Sequence, residues 1–440
     1  MTEFGVRIED WRLSTAGPHV VHDAAGWIAP APAELRDLRV EVAGLRIPVD
    51  RFDRRSGRFA FVLAAPREAE LALAAGDPGE GGVRIELSAP EPCDLEPLPG
   101  VETSARVVIV MAAFNPKPHL FHRQIASLRA QTLADWKCII LDGGSNASSA
   151  ALIQEAASDA RFIVLRAEEN LGAPKNFARA LAAVPHCEAI AFADADDDWD
   201  PAKLEKTCQA LWATRARLAY CDARLIAEDG SVLSPTFWAG RRNQWRDPVS
   251  MLLANTVTTA ASVIAPELRD IALPFPQTRS KTYFDQWLAL CALSTGSIHY
   301  VDESLYGYVQ HAGQDIGHQR LRRPPLVHDL YNLWRIGHSR CLRAAALTPR
   351  SDMADALEQD LLRIKHLSLL ARLRAGAGIS SENAAALALM AGLPHAKSMR
   401  ARLWRRGLAR FGGVSDTLGN DWRMLAAAES RQLSRLPEGA

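Results

Sequence analysis

The stretch EAIAFADADDDWDPAKL, residues 188–204, decides how this chain is read. Its first half, Ala189 to Ala193, is a short continuous apolar run, the pattern of a strand buried on both faces. Four carboxylates then follow almost together: Asp194, Asp196, Asp197 and Asp198. Asp200-Pro201 resembles a helix start, an N-cap acceptor followed by proline at the first helical position. Crowded carboxylates repel one another unless a cation or a proton shares them. Hard divalent cations such as Mg²⁺ and Mn²⁺ take oxygen ligands, often one or two carboxylates plus substrate phosphates. In open α/β sheets, ligands gather beyond the carboxyl ends of the strands. The stretch therefore reads as a metal–diphosphate site; a solvated acidic turn leading into a helix is the plainer alternative.

Working backwards, the chain repeats the same unit. Arg106 to Met111, Trp136 to Leu141 and Phe162 to Leu165 are further apolar runs, each ending in a turn. Helical patterns separate them, with Ile125, Leu128 and Leu133 on one face and Phe177 and Leu181 in a later one. This β-α-β-α-β-α-β order implies an α/β domain with a mostly parallel sheet and right-handed crossovers.

Before it, residues 1–100 show short alternating segments such as Leu38–Val42, Phe59–Leu63 and Val83–Leu87, separated by Gly-rich turns. They predict a small antiparallel, sandwich-like β-domain. Trp11 and Trp27 could stack on sugars, but a tryptophan in a small sandwich more often belongs to the core. Pro90, Pro92, Pro97 and Pro99 mark a linker. After the α/β domain (101–320), residues 321–440 carry helical periodicity. There, KSMRARLWRRGLARF (397–411) reads as a basic amphipathic helix, suited to peripheral contact with an anionic membrane or to a solvated basic face.

Composition adds limits. The chain has 440 residues, enough for two or three domains. Its 51 Lys+Arg balance 51 Asp+Glu, so charge points to no particular partner, and no nucleic acid is expected. Seven scattered cysteines form no CxxC pair, which argues against a zinc site and fits a reducing compartment. No signal-like h-region and no run of about 18 apolar residues is visible, so a cytoplasmic location is expected, with the inner membrane face as a place of peripheral contact.

The ordered motifs VVIVMAAFNP (107–116), ASLRAQTLADWKCIILDGGS (126–145), ENLGAPKNFARAL (169–181) and IAFADADDDWDPAKLEK (190–206) resemble a family 2 glycosyltransferase of the GT-A fold. They are particularly similar to the branch that includes rhamnosyltransferases of bacterial surface polysaccharides, over roughly residues 104–318. The resemblance implies a nucleotide-sugar donor, a glycan or lipid-linked glycan acceptor and Mn²⁺ or Mg²⁺. It implies that Ala112 and Phe114 line the nucleoside, and that Asp142, Lys175 and Asp194 contact the donor. It assigns Asp196, with Asp197 and His311, to the metal. Asp285, in Tyr283-Phe284-Asp285-Gln286-Trp287, matches the general base of inverting members. A carboxylate within hydrogen-bond reach of an attacking hydroxyl can take its proton. Two positions depart from the family pattern: Gly143 stands where a second acid is common, and Val309 where an arginine is common. A non-catalytic glycan- or nucleotide-binding protein on the same fold remains the alternative.

Overall fold

A computed structural model describes residues 5–29, 37–75, 83–91, 98–238, 243, 245–246, 248–253, 255–279, 282–311, 351–392 and 394. The basic segment 397–411 lies outside the described residues. The chain divides into two units, one of residues 94–275 and 283–323, the other of residues 1–93, 276–282 and 324–440.

The second of these units contains eight strands: β1 (Gly5–Ala16), β2 (His19–Ala29), β3 (Arg39–Val42), β4 (Leu45–Pro48), β5 (Arg51–Phe52), β6 (Arg58–Pro66), β7 (Leu71–Ala75) and β8 (Val83–Leu87). They form two antiparallel sheets, ordered β1-β2-β6-β5 and β4-β3-β7-β8. Alternation along β3 and β6 places Val40, Val42, Phe59, Phe61 and Leu63 in one core with Leu71 and Leu73. Trp11 packs against this core, edge-on to Phe61 at 6.2 Å, and its indole N–H donates to His22. It is thus a core tryptophan. Among its described residues the unit also holds two C-terminal helices, Ser351–Ala375 and Ser381–Ala391. The first is tied to the strands by Lys365, which donates to the buried Asp50, and by Arg374, which donates to the Thr15 carbonyl.

The other unit holds β9 (Val107–Ala113), α1 (Pro118–Arg129), β10 (Trp136–Asp142), α2 (Ala147–Ala156), β11 (Phe162–Arg166), α3 (Ala173–Ala182), β12 (Ala189–Ala193), β13 (Asp198–Trp199) and α4 (Lys203–Thr214). Then come β14 (Leu218–Ala227), β15 (Val232–Ser234), α5 (Pro248–Leu253), β16 (Ser262–Ile264), α6 (Pro266–Ala272), α7 (Phe284–Thr295) and β17 (Ile298–Gln310). The sheet runs β11-β10-β9-β12-β16-β14-β17-β13, with β15 hairpinned onto β14. β11, β10, β9 and β12 are mutually parallel. β16 enters antiparallel between β12 and β14. The apolar runs explain this order: every residue of β12 is buried, and so is every residue of β9 except Ala112. Such strands must be covered on both faces, which the crossover helices do.

Local detail departs from the sequence expectation at the acidic turn. Helix α4 begins at Lys203, with Ala202 at the N-cap. Asp200 instead makes a turn, its carboxylate accepting the Ala202 N–H, while the Asp200 N–H bonds the Leu305 carbonyl. Strand β16 is short because a 3₁₀ turn at Thr259–Ala261 precedes it. Strand β17 is long and shifts register against β14 around Cys221–Ala223.

Candidate active site

The parallel strands β10, β9 and β12 all end on one edge of the sheet, and the loops there carry the candidate residues. Near the end of β9, Ala112 is partly exposed, and just beyond the strand Phe114 is an exposed aromatic, 47% accessible. Asn115 adopts φ +44°, a left-handed turn that asparagine tolerates. Its backbone N–H donates to the Ser145 hydroxyl and its side-chain Oδ1 accepts the Asn146 N–H, so the β9 and β10 loops brace each other.

Asp142 ends β10 at 2% exposure. One carboxylate oxygen accepts the Ser145 N–H at 2.8 Å; the other pairs with Arg166 at 3.0 Å. Arg166, opposite Asp142 in the β10–β11 ladder, also donates to the Ser145 carbonyl. Asp142 therefore shapes the loop from within. Sequence reading passed over Arg166, because only strand register brings it to Asp142. Gly143 has a steric explanation. A Cβ there would come within 2.5 Å of Asn176 Nδ2, so the buried Asn176 fills the space an acid would need. Lys175 is exposed in the first turn of α3.

The acidic turn after β12 is held by β17. Asp198 and Trp199 form β13, paired with Gly307 and Tyr306. Asp197 is fully buried; one oxygen accepts the Val309 N–H, and the other has no hydrogen-bond partner. Burial and the nearby Asp194 and Asp196 push its carboxyl well above the usual range. Val309 itself packs with Leu120 and Ile226 in a small apolar cluster. Its side chain position is therefore one for an aliphatic group, and its contribution to the turn is the backbone N–H. Asp196 is partly exposed and meets His311 Nε2 at 2.7 Å.

Asp194 lies on the same edge. Burial, Asp196 and Asp285 raise its carboxyl to about 7, with Lys203 acting the other way. Asp285, in the first turn of α7, is also raised to about 7, mainly by burial, against the hydrogen bonds from the Gln286 N–H and the Asn255 side chain. Helix α7 is located firmly. Gln286 donates to the Met251 and Leu252 carbonyls, the Trp287 indole donates to the Ala272 carbonyl, and Phe284 stacks on Phe177 at 4.7 Å.

Beneath the acids sits Lys203, a residue the sequence reading left in a helix pattern. It is fully buried, its ammonium lies 3.1 Å from the centre of the Trp199 ring, and it has no hydrogen-bond partner. Desolvation lowers it to about 8, partly offset by Asp197 and Asp194. For this cation desolvation outweighs the attraction of the buried Asp197 and Asp194. The spacing Asp200-Pro-Ala-Lys203 was the available signal, yet it reads as surface until β13 and β17 close over it.

The donor set of Asp196 and His311, oxygen plus imidazole, fits Mn²⁺ or Mg²⁺ completed by phosphate oxygens. Among the described residues no group of three His, Cys, Asp or Glu side chains converges on one ion position.

Residues 108–255 match the model of glycosyl transferase family 2. The family 2 segment thus spans β9 to the loop after α5, and takes in every candidate residue except Asp285 and His311. Two relatives share parts of it. A Bacillus subtilis (strain 168) protein named for teichuronic acid biosynthesis, the glycosyltransferase TuaG, is 25% identical over 185 residues, covering 42% of this chain and 71% of that protein. An uncharacterized glycosyltransferase of Nostoc sp., alr2836, is 32% identical over 109 residues, covering 24% and 33%. Among solved structures, S. aureus TarS 1-349 in complex with UDP-GlcNAc aligns over 70% of this chain and 91% of its own at 13% identity, with a TM-score of 0.43. The mannosyltransferase PcManGT of Pyrobaculum calidifontis, in complex with GDP-Man and Mn²⁺, aligns over 76% and 90% at 16% identity, with a TM-score of 0.38. The mixed, partly parallel sheet with its crossover helices, the N-terminal antiparallel sheets and the C-terminal helices agree with the α/β architecture expected from sequence. Among the described residues no helix is long and apolar enough to cross a membrane.

Proposed function

We propose that this chain is a metal-dependent, inverting glycosyltransferase that moves a hexosyl or deoxyhexosyl group, such as rhamnosyl, from a nucleotide-sugar to a hydroxyl of a bacterial surface glycan. The acceptor is a free or lipid-linked glycan presented at the cytoplasmic face of the membrane. The observation that carries this reading is the pairing of Asp196 with His311 at 2.7 Å beyond β12, beside Asp194, whose carboxyl feels the charge of Asp285. A base and a cation site on one edge suit a displacement in which a diphosphate leaves.

Asp196 and His311 hold the cation, with Asp197 bracing the turn through the Val309 N–H. The cation's contribution, once bound, is to neutralise charge developing on the leaving diphosphate. Ala112, Phe114 and the loop shaped by Asp142 receive the nucleoside, and Asp194 and Lys175 contact the donor. Asp285 accepts the proton of the acceptor hydroxyl as its oxygen bonds to the anomeric carbon. The bond from that carbon to the diphosphate oxygen breaks, and the electron pair leaves with the diphosphate. Burial raises Asp285 towards neutrality, which makes its carboxylate a stronger base than an exposed aspartate.

The test is a panel of UDP-, GDP- and dTDP-linked sugars with Mn²⁺, read by thermal shift and by release of the nucleoside diphosphate. One donor class stabilises the wild type in a metal-dependent way, and Asp196→Ala weakens that response at least tenfold. A wild type that binds no donor with metal present refutes the reading.

A further inference from the structure

Strands β14 and β17 run on past the acidic turn to a second charged cluster. They pair in parallel, Ile226 with Val309 and Ala227 with Gln310. Glu228 and His311 come next on their two stretches of chain, so the register sets them side by side. Ile226 and Val309, two positions back and on the same face, pack with Leu120 of α1. That face therefore looks towards the start of α1, and the residues there reach Glu228. Lys117 Nζ donates to one carboxylate oxygen at 2.8 Å, and His119 Nε2 meets the other at 3.3 Å. Arg123 donates to the Glu228 carbonyl at 3.2 Å and fixes the backbone there.

Lys117 thus stands between two parts of the candidate site. It closes the turn after β9 that carries Phe114, the proposed nucleoside contact. Its partner Glu228 neighbours His311, which meets Asp196 at 2.7 Å. A diphosphate that joins a nucleoside to a cation must cross the same interval. Val309, packed among aliphatic side chains, can offer it no positive charge. We infer that Lys117 is a donor-binding residue: it exchanges Glu228 for the diphosphate and supplies the charge that the Val309 position lacks. The inference rests on the reading of this chain as a nucleotide-sugar glycosyltransferase, and it adds a residue which that reading did not use. The exchange meets little resistance. The Lys117 and Glu228 side chains are 38% and 36% exposed, and an ion pair so open to water is weak. A phosphate oxygen offers the ammonium a stronger, charge-assisted bond. When Lys117 leaves, Glu228 keeps His119 and the anchor of Arg123, so the rest of the cluster stays in place.

The test is binding of UDP, GDP and dTDP to the full chain with Mn²⁺, by isothermal titration calorimetry. Wild type, Lys117→Met, Glu228→Gln and the double variant are compared. Both side chains are partly exposed, so the substitutions leave the core untouched. Lys117→Met should weaken the diphosphate that wild type binds by about tenfold, the loss of one hydrogen bond to a charged group. Glu228→Gln should instead tighten it by about threefold, because Lys117 is released from its competing partner. The double variant should bind like Lys117→Met alone. Single variants that weaken binding alike would make the ion pair a structural brace and overturn the inference. So would Lys117→Met at wild-type affinity, or a gain from Glu228→Gln that persists in the double variant, which would reflect only the removal of a negative charge. The glycosyltransferase reading is scored separately: it fails if none of the three diphosphates binds the wild type with Mn²⁺.

Discussion

Replacing the proposed base should stabilise the protein, and by an amount that depends on pH. Asp285 has an ordinary carboxyl value of 3.8 raised to about 7 in the folded chain. Its ionisation is therefore harder in the folded state than in the unfolded chain. Stability is greatest below pH 4, where both states hold the proton. It falls as the pH rises, because the unfolded chain releases the proton first, and the loss is complete above pH 7. At about 1.4 kcal/mol per tenfold, the full cost is about 4 kcal/mol; partial exposure of the carboxyl brings it to about 2–4 kcal/mol. Asp285→Asn removes this cost and keeps an oxygen to accept the Gln286 N–H. The variant should thus be inactive in transfer yet more stable. The gain over wild type should be below about 1 kcal/mol at pH 4 and about 2–4 kcal/mol at pH 8, or on the order of 5–10 °C in Tm. Melts across that pH range, with circular dichroism as the readout, make the measurement. A gain that does not grow with pH, or a variant less stable than wild type at pH 8, would refute the assignment of a buried, hard-to-ionise carboxyl at this position.

Three further outcomes follow from the same geometry. The transfer rate should rise with pH and level off above about 7, since Asp285 must lose its proton to act; a pH–rate profile flat from 5 to 8 would exclude it as base. Lys203 is lowered to about 8, so its charge costs stability below that pH and stops costing it above the ordinary value of 10.5. Lys203→Met should therefore gain about 1–3 kcal/mol at pH 7 once the lost ring contact with Trp199 is subtracted, and the gain should shrink as pH rises towards 10 in urea titrations. Gly143→Ala places a methyl group against Asn176 Nδ2 and breaks its bond to Asn170, at a cost of about 1–3 kcal/mol, read from the urea midpoint; an unchanged midpoint would show that Asn176 can move freely.

Much of the segment 108–255 is legible in the sequence. Continuous apolar runs such as Ala189–Ala193 can be buried only between covered faces, so strands and sheet type follow from pattern. The acidic turn stands out by residue type and order, whereas Asp285 is marked only by resemblance to a family motif. What the pattern could not carry was partnership across the sheet. Asp196 meets His311, Asp197 meets the Val309 backbone, and Asp142 meets Arg166, each pair far apart in sequence. Residue spacing along one strand or helix reports only which face a side chain shares. Which face meets which depends on strand order and register, and both are settled by burying the whole sheet at once. For the same reason Val309 looked like a lost arginine until its side chain was seen among Leu120 and Ile226. Lys203 is buried only because β13 pairs with β17 beside it, a partnership that local sequence does not report. The local sequence thus determined the strands and the chemistry at their ends. The tertiary structure decided which of those acids are exposed, which are braced, and which share a charge, because desolvation acts only on the packed chain.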